Sequence, residues 1–169
     1  MDQREVTCCF TGHRPNALSW MEDPADLRTL ALRQSLWERI VFTRSQGYTR
    51  FLSGMALGVD LMCAELVLKL AETDPQVRLI PVVPFPAQAS RWAPEDRQRY
   101  REILRRCGDD LVVVCPSFRK DCYSLRNRYM VDHSAKIIGV YDGRAGGGTA
   151  QTLNYARQKG LQMELIVPG

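Results

Sequence analysis

Six short apolar runs alternate with longer stretches whose apolar residues recur at helical spacing. Val6 to Thr11 reads as a short buried strand. From Asp26 to Gln46, Leu27, Leu30, Leu36, Trp37, Ile40 and Val41 return near the 3.6-residue period of a helix, and Gly47 is suited to end it. Thr49 to Ser53 predicts a second strand, and Val59 to Glu72, apolar on most sides, a buried helix. Val77 to Val83 predicts a third strand, closed by Pro84 and Pro86. Pro94 to Arg106 reads as a helix with proline in its first turn, where the missing N–H costs nothing. Asp110 to Cys115, Lys136 to Tyr141 and Gln162 to Val167 predict three more strands. Tyr123 to His133 and Thr149 to Lys159 predict the helices between them. Asn16 to Pro24 follows neither pattern and is expected to loop over the sheet edge or the mouth of a site.

Strands that are nearly all apolar are buried on both faces, and strand–helix alternation builds parallel crossovers. The expectation is an α/β fold: a Rossmann-like three-layer sandwich, with a mostly parallel sheet and helices on both faces. The 169 residues suffice for one domain with a sizeable core, so a single domain over 1–169 is expected. No apolar run reaches the roughly 18 residues of a membrane span. The start, MDQREVTCCF, lacks a signal-peptide layout, so a cytoplasmic protein without a membrane partner is expected.

Charge adds little. The net value of +4 comes from 23 basic and 19 acidic residues, and the most basic stretch, RWAPEDRQRYREILRR, mixes both signs as a solvated helix face does. Nucleic acid is therefore disfavoured as a partner. The six cysteines, Cys8, Cys9, Cys63, Cys107, Cys115 and Cys122, form no CxxC pair. They read as reduced and mostly buried thiols, and no metal site is expected.

Ligands of open parallel sheets bind beyond the carboxyl ends of the strands. Thr11-Gly12-His13-Arg14-Pro15 follows the first strand, and Ser53-Gly54-Met55-Ala56-Leu57-Gly58-Val59-Asp60 the second. Pro84-Phe85-Pro86 follows the third, and Tyr141-Asp142-Gly143-Arg144-Ala145-Gly146-Gly147-Gly148-Thr149 the fifth. Gly54 and Gly58 bracket a turn running straight into a helix, which offers backbone N–H groups and a positive dipole end to phosphate. Gly146, Gly147, Gly148 and Thr149 repeat the device at the start of the last helix, with Thr149 placed to cap it or to hold a phosphate oxygen. Arg14 and Arg126 supply fixed positive charge. Phe85 or Tyr141 offers a ring for stacking on a base. Asp60, Asp132 and Asp142 are the acid/base candidates, Asp60 being equally suited to stabilise its helix start. His13 reads as a site or surface-loop histidine, His133 as a helix-end cap, and Met55 as a packing residue. The G-x-G-x-x-G, G-x-x-x-x-G-K-[ST] and G-x-S-x-G motifs are absent, which disfavours ordinary dinucleotide dehydrogenases, P-loop NTPases and serine hydrolases.

The TGHRP start, SGMALGVD, Arg126-Asn127-Arg128-Tyr129-Met130-Val131-Asp132 and Gly147-Gly148-Thr149 resemble, in that order, the YpsA-like branch of the SLOG superfamily. The resemblance runs from about Cys8 to Val167 and implies a Rossmann-like fold that binds nucleotide-derived ligands. It adds Ser53 and Asn127 to the binding candidates Gly12, His13, Arg14, Gly54, Gly58, Asp60, Phe85, Arg126, Gly147, Gly148 and Thr149. SGMALGVD is also similar to the glycine loop of the DprA family, which handles single-stranded DNA. GGGT is similar to part of the PGGxGTxxE motif of the Lonely Guy phosphoribohydrolases, although Ala150-Gln151-Thr152 follows here and the motif's Glu is missing. The leading expectation is a cytosolic regulator that binds or senses a nucleotide-derived molecule such as ADP-ribose or NAD. A hydrolase acting on such a nucleotide is the alternative, and a DprA-like single-stranded DNA binder the second. A partner protein or a homo-oligomer is compatible with each.

Overall fold

The computed structural model describes residues 2–169. A short 3-10 helix, Gln3–Val6, leads into β1 (Thr7–Gly12). Then follow α1 (Leu27–Ser45), β2 (Arg50–Ser53), α2 (Val59–Ala71), β3 (Arg78–Val83), α3 (Pro94–Cys107) and β4 (Val112–Val113). The chain ends with α4 (Cys122–Asp132), β5 (Lys136–Val140), α5 (Gly147–Gln158) and β6 (Gln162–Ile166). The six strands lie in the order β4-β3-β2-β1-β5-β6, each pair parallel. This is the Rossmann-like α/β fold that the alternating pattern predicts.

Strand alternation splits the core into two. On one face Cys8, Phe10 and Phe51 pack with Leu32, Leu36 and Ile40 of α1, the apolar side of α2, and Tyr100 and Ile103 of α3. On the other, Cys9, Leu52, Ile80 and Ile137 meet Met130 and Val131 of α4 and Leu153 and Ala156 of α5. Adjacent residues of β1 thus enter opposite cores, which is why its sequence is apolar without alternation. All six cysteines are free thiols, and all but the half-buried Cys107 are buried.

Most boundaries shift by one residue, and three differences from expectation are larger. β4 keeps only two residues of the expected Asp110 to Cys115, because a 3-10 turn occupies Gly108–Asp110 and the strand lies at the sheet edge with one neighbour. Asn16 to Pro24 is not wholly a loop: Ser19–Glu22 is a 3-10 helix that buries Met21, and the Thr29 hydroxyl donates to the Trp20 carbonyl at 2.7 Å. α5 begins two residues early, with Gly146 as its N-cap, so Thr149 lies inside the first turn and does not cap it. Among the described residues, no helix is long and apolar enough to cross a membrane.

The strand order sets the place of a site. The chain builds outward from β1 through β2 and β3 to β4, then returns to lay β5 on the other side of β1. The loops after β1 and β5 therefore diverge and leave a crevice at the carboxyl end of the sheet.

Candidate functional site

That crevice is a cleft of about 330 Å³. Its floor is the end of β1, Phe10 to Gly12. His13, Arg14, Asn16 and Ala17 form one rim, Arg144 and Gly146 to Thr149 another, and Tyr123, Arg126, Asn127 and Met130 of α4 a third. Asp60 and Ala56 enter from α2. Gly12 is required at the floor, since a Cβ there would stand 2.6 Å from the Val59 side chain.

The two glycine-to-helix turns are not equivalent. At the start of α2 the protein uses its own atoms. The Ala56 N–H donates to Asp60 Oδ2 at 3.3 Å, and the Val59 N–H to the His13 carbonyl at 3.3 Å. Ser53 Oγ accepts from the Met55 N–H at 3.2 Å and donates to the Asp60 carbonyl at 2.8 Å. The phosphate cradle expected on Gly54 to Gly58 is thus already filled. Neither glycine lines the cleft; Gly58 faces a separate hollow beside Pro15, Arg33 and Arg99. At the start of α5, by contrast, no side chain caps the helix, and Gly146, Gly147, Gly148 and Thr149 form the cleft wall. The first-turn N–H groups and the positive dipole end face the cavity.

The charges are arranged in depth. Arg126 is 4% exposed; its Nη1 donates to the Gly54 carbonyl and its Nε to Asn127 Oδ1 at 2.7 Å. Burial lowers its pKa, against the pull of Asp60, while Arg14 lowers it further. Asp60, also buried, has its carboxyl raised above the ordinary value by burial, which Arg126, the Ala56 N–H and Arg14 oppose. Arg14 is exposed at the mouth, its guanidinium 5.1 Å from the Tyr123 ring centre, with Arg126 at 5.8 Å from the same ring. Two cations flanking one buried carboxylate leave the cleft with positive charge to offer an anion. Arg144 contributes less, because its side chain is paired with Asp142, whose carboxyl it holds down to about 2.

His13 is buried, and its Nε2 accepts a hydrogen bond from the Asp142 backbone N–H at 3.2 Å. Burial lowers its pKa more than the adjacent Asp142 carboxylate raises it. With Nε2 accepting from the Asp142 N–H, a neutral ring carries its proton on Nδ1, and the 3.3 Å approach of Asp142 Oδ1 to Nε2 becomes an ion pair only on protonation.

Of the residues singled out in the sequence, Gly12, His13, Arg14, Asp60, Arg126, Asn127, Gly147, Gly148 and Thr149 meet in the cleft. Ser53 and Gly54 lie behind it, holding Asp60 and Arg126. Asp132 is exposed on α4, taking a 2.7 Å hydrogen bond from the Tyr155 hydroxyl, and Asp142 is committed to Arg144. Asp60 is the one acid/base candidate in the cleft lining. Phe85 is wedged between Phe118 and Tyr123 and does not line the cavity. Tyr123 and Arg144 are cleft residues that the sequence reading missed. The only sequence signal for either was position, Tyr123 in the first turn of a helix that starts at the sheet's carboxyl edge. His133 caps α4 as expected, its Nδ1 2.7 Å from the Tyr129 carbonyl. Among the described residues, no group of three or more His, Cys, Asp or Glu is placed to hold a metal ion.

The chain is similar to known bacterial proteins in sequence and, in one case, in fold. The UPF0398 protein BH1768 of Halalkalibacterium halodurans is 29% identical over 142 residues, 81% of this chain and 75% of its own. The SPbeta prophage-derived protein YoqJ of Bacillus subtilis is 29% identical over 157 residues, 86% of this chain and 90% of its own. The crystal structure of DNA processing protein A (DprA) from Streptococcus pneumoniae superposes with a TM-score of 0.63 at 14% identity. That match covers 99% of this chain, which spans about half (52%) of the DprA chain, and at that identity it speaks to fold alone. The model of the YspA SLOG family matches residues 8–168, nearly the whole of the sequence. The chain belongs to the YspA SLOG family.

Proposed function

We propose that the cleft between the β1 and β5 loops binds a small nucleotide-derived anion and that the protein acts as a cytoplasmic sensor or regulator through it. ADP-ribose and NAD are representative candidates. The observation that carries this reading is the convergence of an uncapped helix start with two arginines, one buried and one at the mouth, on a single cavity. Phosphate would rest on the N–H groups of Gly147 to Thr149, with Arg14 and Arg126 as counter-charges. Asn127 and Asp60 are the polar groups left for sugar hydroxyls.

A thermal-shift series with ADP-ribose, NAD, AMP, ribose 5-phosphate and pyrophosphate tests it. A ligand at one hundred times its dissociation constant stabilises the fold by about 2.7 kcal/mol. For a chain of this length that raises Tm by roughly 5 to 10 °C. Arg14→Ala, at an exposed position, should keep the fold and weaken binding about tenfold. No shift with any of these compounds would overturn the reading.

A second reading has one observation in its favour. Asp60 is a cleft carboxyl with a raised pKa, the property of a general acid. Hydrolysis of a nucleotide would follow if product accumulates on incubation with the ligands above and Asp60→Asn stops it while binding persists.

A further inference from the structure

We infer that Phe118 is the stacking surface for a planar heteroaromatic base whose phosphate end occupies the cleft, with Phe85 and Tyr123 as its buttress. The inference rests on the reading of the cleft given above and assigns the part of the ligand that the cleft does not hold.

Three rings from three separate segments meet at the carboxyl edge of the sheet. Tyr123, in the first turn of α4, forms part of the cleft wall. Phe85, just after β3, meets Tyr123 edge-on, with centroids 6.0 Å apart and planes at 80°. Phe118, in the segment after β4, meets Phe85 the same way, at 5.5 Å and 77°. The row begins inside the anion-binding cavity and ends in water, for Phe118 is 61% exposed. Edge-to-face contact is the favoured geometry for such rings and fixes each by its neighbour. Phe85 is partly buried between its two neighbours, and Phe118 holds the outermost position.

The other exposed phenylalanine shows the contrast. Phe42, 49% exposed on α1, lies 5.4 Å from the buried Lys136 ammonium and is occupied by it. Phe118 has an aromatic contact with Phe85 alone among the described residues and sits in a polar segment, Pro116 to Asp121, where an apolar ring gains nothing from water. Its neighbour Arg119 is paired with Asp121 at 2.9 Å, so the charge beside the ring is tied down. Tyr123 cannot take the base itself without displacing Arg14 from its ring. A ligand with phosphate at α5 must pass Tyr123 and Phe85, whose ring centres lie 6.0 Å apart with Phe118 5.5 Å further on, before its base reaches Phe118, a span that needs a sugar and a diphosphate together. The matching class is a nucleoside diphosphate derivative, whereas a sugar phosphate fills only the cleft.

Calorimetry with ADP-ribose and ribose 5-phosphate on the whole chain separates the possibilities. The wild-type chain should bind ADP-ribose more tightly than ribose 5-phosphate. Phe118→Ala should weaken ADP-ribose about tenfold and leave ribose 5-phosphate unchanged. Phe118→Trp should bind ADP-ribose as well as wild type, with an emission change on binding that the wild-type tryptophans do not give. Equal affinity of Phe118→Ala and wild type for ADP-ribose, or equal affinity of wild type for the two ligands, would overturn the role of Phe118 and leave the cleft reading standing. Failure of the wild-type chain to bind either ligand would overturn both.

Discussion

Gly54 is a glycine because two side chains occupy the place of its Cβ. A methyl group there would stand 2.7 Å from Arg126 Nη1 and 2.9 Å from Asp60 Oδ2. Gly54→Ala should still fold, since Arg126 ends in a flexible head, but must push that head toward the cleft. We expect a loss of about 1 to 3 kcal/mol in denaturant titrations, as overpacking of a tight site costs, together with weaker ligand binding. A stability within error of wild type would mean that Arg126 is not held as described. Gly58 differs. Its φ is +92° and its Cβ would meet the His13 carbonyl at 2.7 Å, so a side chain there strains the backbone and displaces the first loop. The sequence marked both positions as turn glycines, which they are. Their reasons lie in Arg126 and His13, far off in the chain, and no local spacing encodes them. Met55, between them, adopts φ +61° while fully buried, a strain equally invisible in sequence.

Among the elements, the strands were the most legible, because a strand covered on both faces must be apolar throughout. β4 reads longer than it is for the same reason: Leu111 to Cys115 is apolar, but only Val112 and Val113 pair as strand, while the N–H groups of Val114 and Cys115 donate to the Val83 and Pro84 carbonyls at 3.0 Å beyond it. The loops after β1 and β5 are tied to each other by His13 Nε2 and the Asp142 N–H, a link between residues far apart in sequence. This tie is pH-dependent. The folded state lowers the His13 pKa, so the unfolded chain binds the proton more readily. Stability from this residue is therefore full above the unfolded value of about 6.5 and is lost as pH falls from there through the folded value. Protonation also places an N–H against the N–H of Asp142. In chemical denaturation between pH 8 and pH 5, His13→Gln, which keeps an acceptor but cannot titrate, should lose less stability than wild type. Parallel pH curves for the two proteins would show that the imidazole does not titrate on unfolding as described.

At the scale of the whole molecule, the switch point between β1 and β5 gathers residues from four stretches of the sequence into one cleft, while its charge is dispersed elsewhere. This dispersal is the physical ground for expecting weak nucleic-acid binding despite the fold shared with DprA. Non-specific affinity for a strand comes from neutralised phosphates and grows with the number of free cations along a track. The most basic helix, α3, spends three of its five arginines on neighbours: Arg99 on Glu65 at 2.5 Å, Arg105 on Glu102 at 2.6 Å and Arg106 on Glu72 at 3.3 Å, leaving Arg97 and Arg101. Arg78 is likewise held by Asp110 at 2.6 Å, and Arg44 by Asp74 at 2.8 Å. What remains of the net charge of +4 is scattered, apart from the cleft, whose 330 Å³ suits a phosphate group and not a strand. Strand binders also set successive aromatic rings along a basic groove. Here the rings at the sheet edge run Tyr123, Phe85, Phe118, of which Phe118 alone is exposed, so a single ring stands free for a single base. In fluorescence anisotropy at about 150 mM salt, where screening acts over about 8 Å, a labelled single-stranded oligonucleotide should bind no more tightly than the micromolar range. Lowering the salt should strengthen it only modestly, as few contacts require. A submicromolar dissociation constant at that salt would place DNA ahead of a small nucleotide as the ligand of this fold.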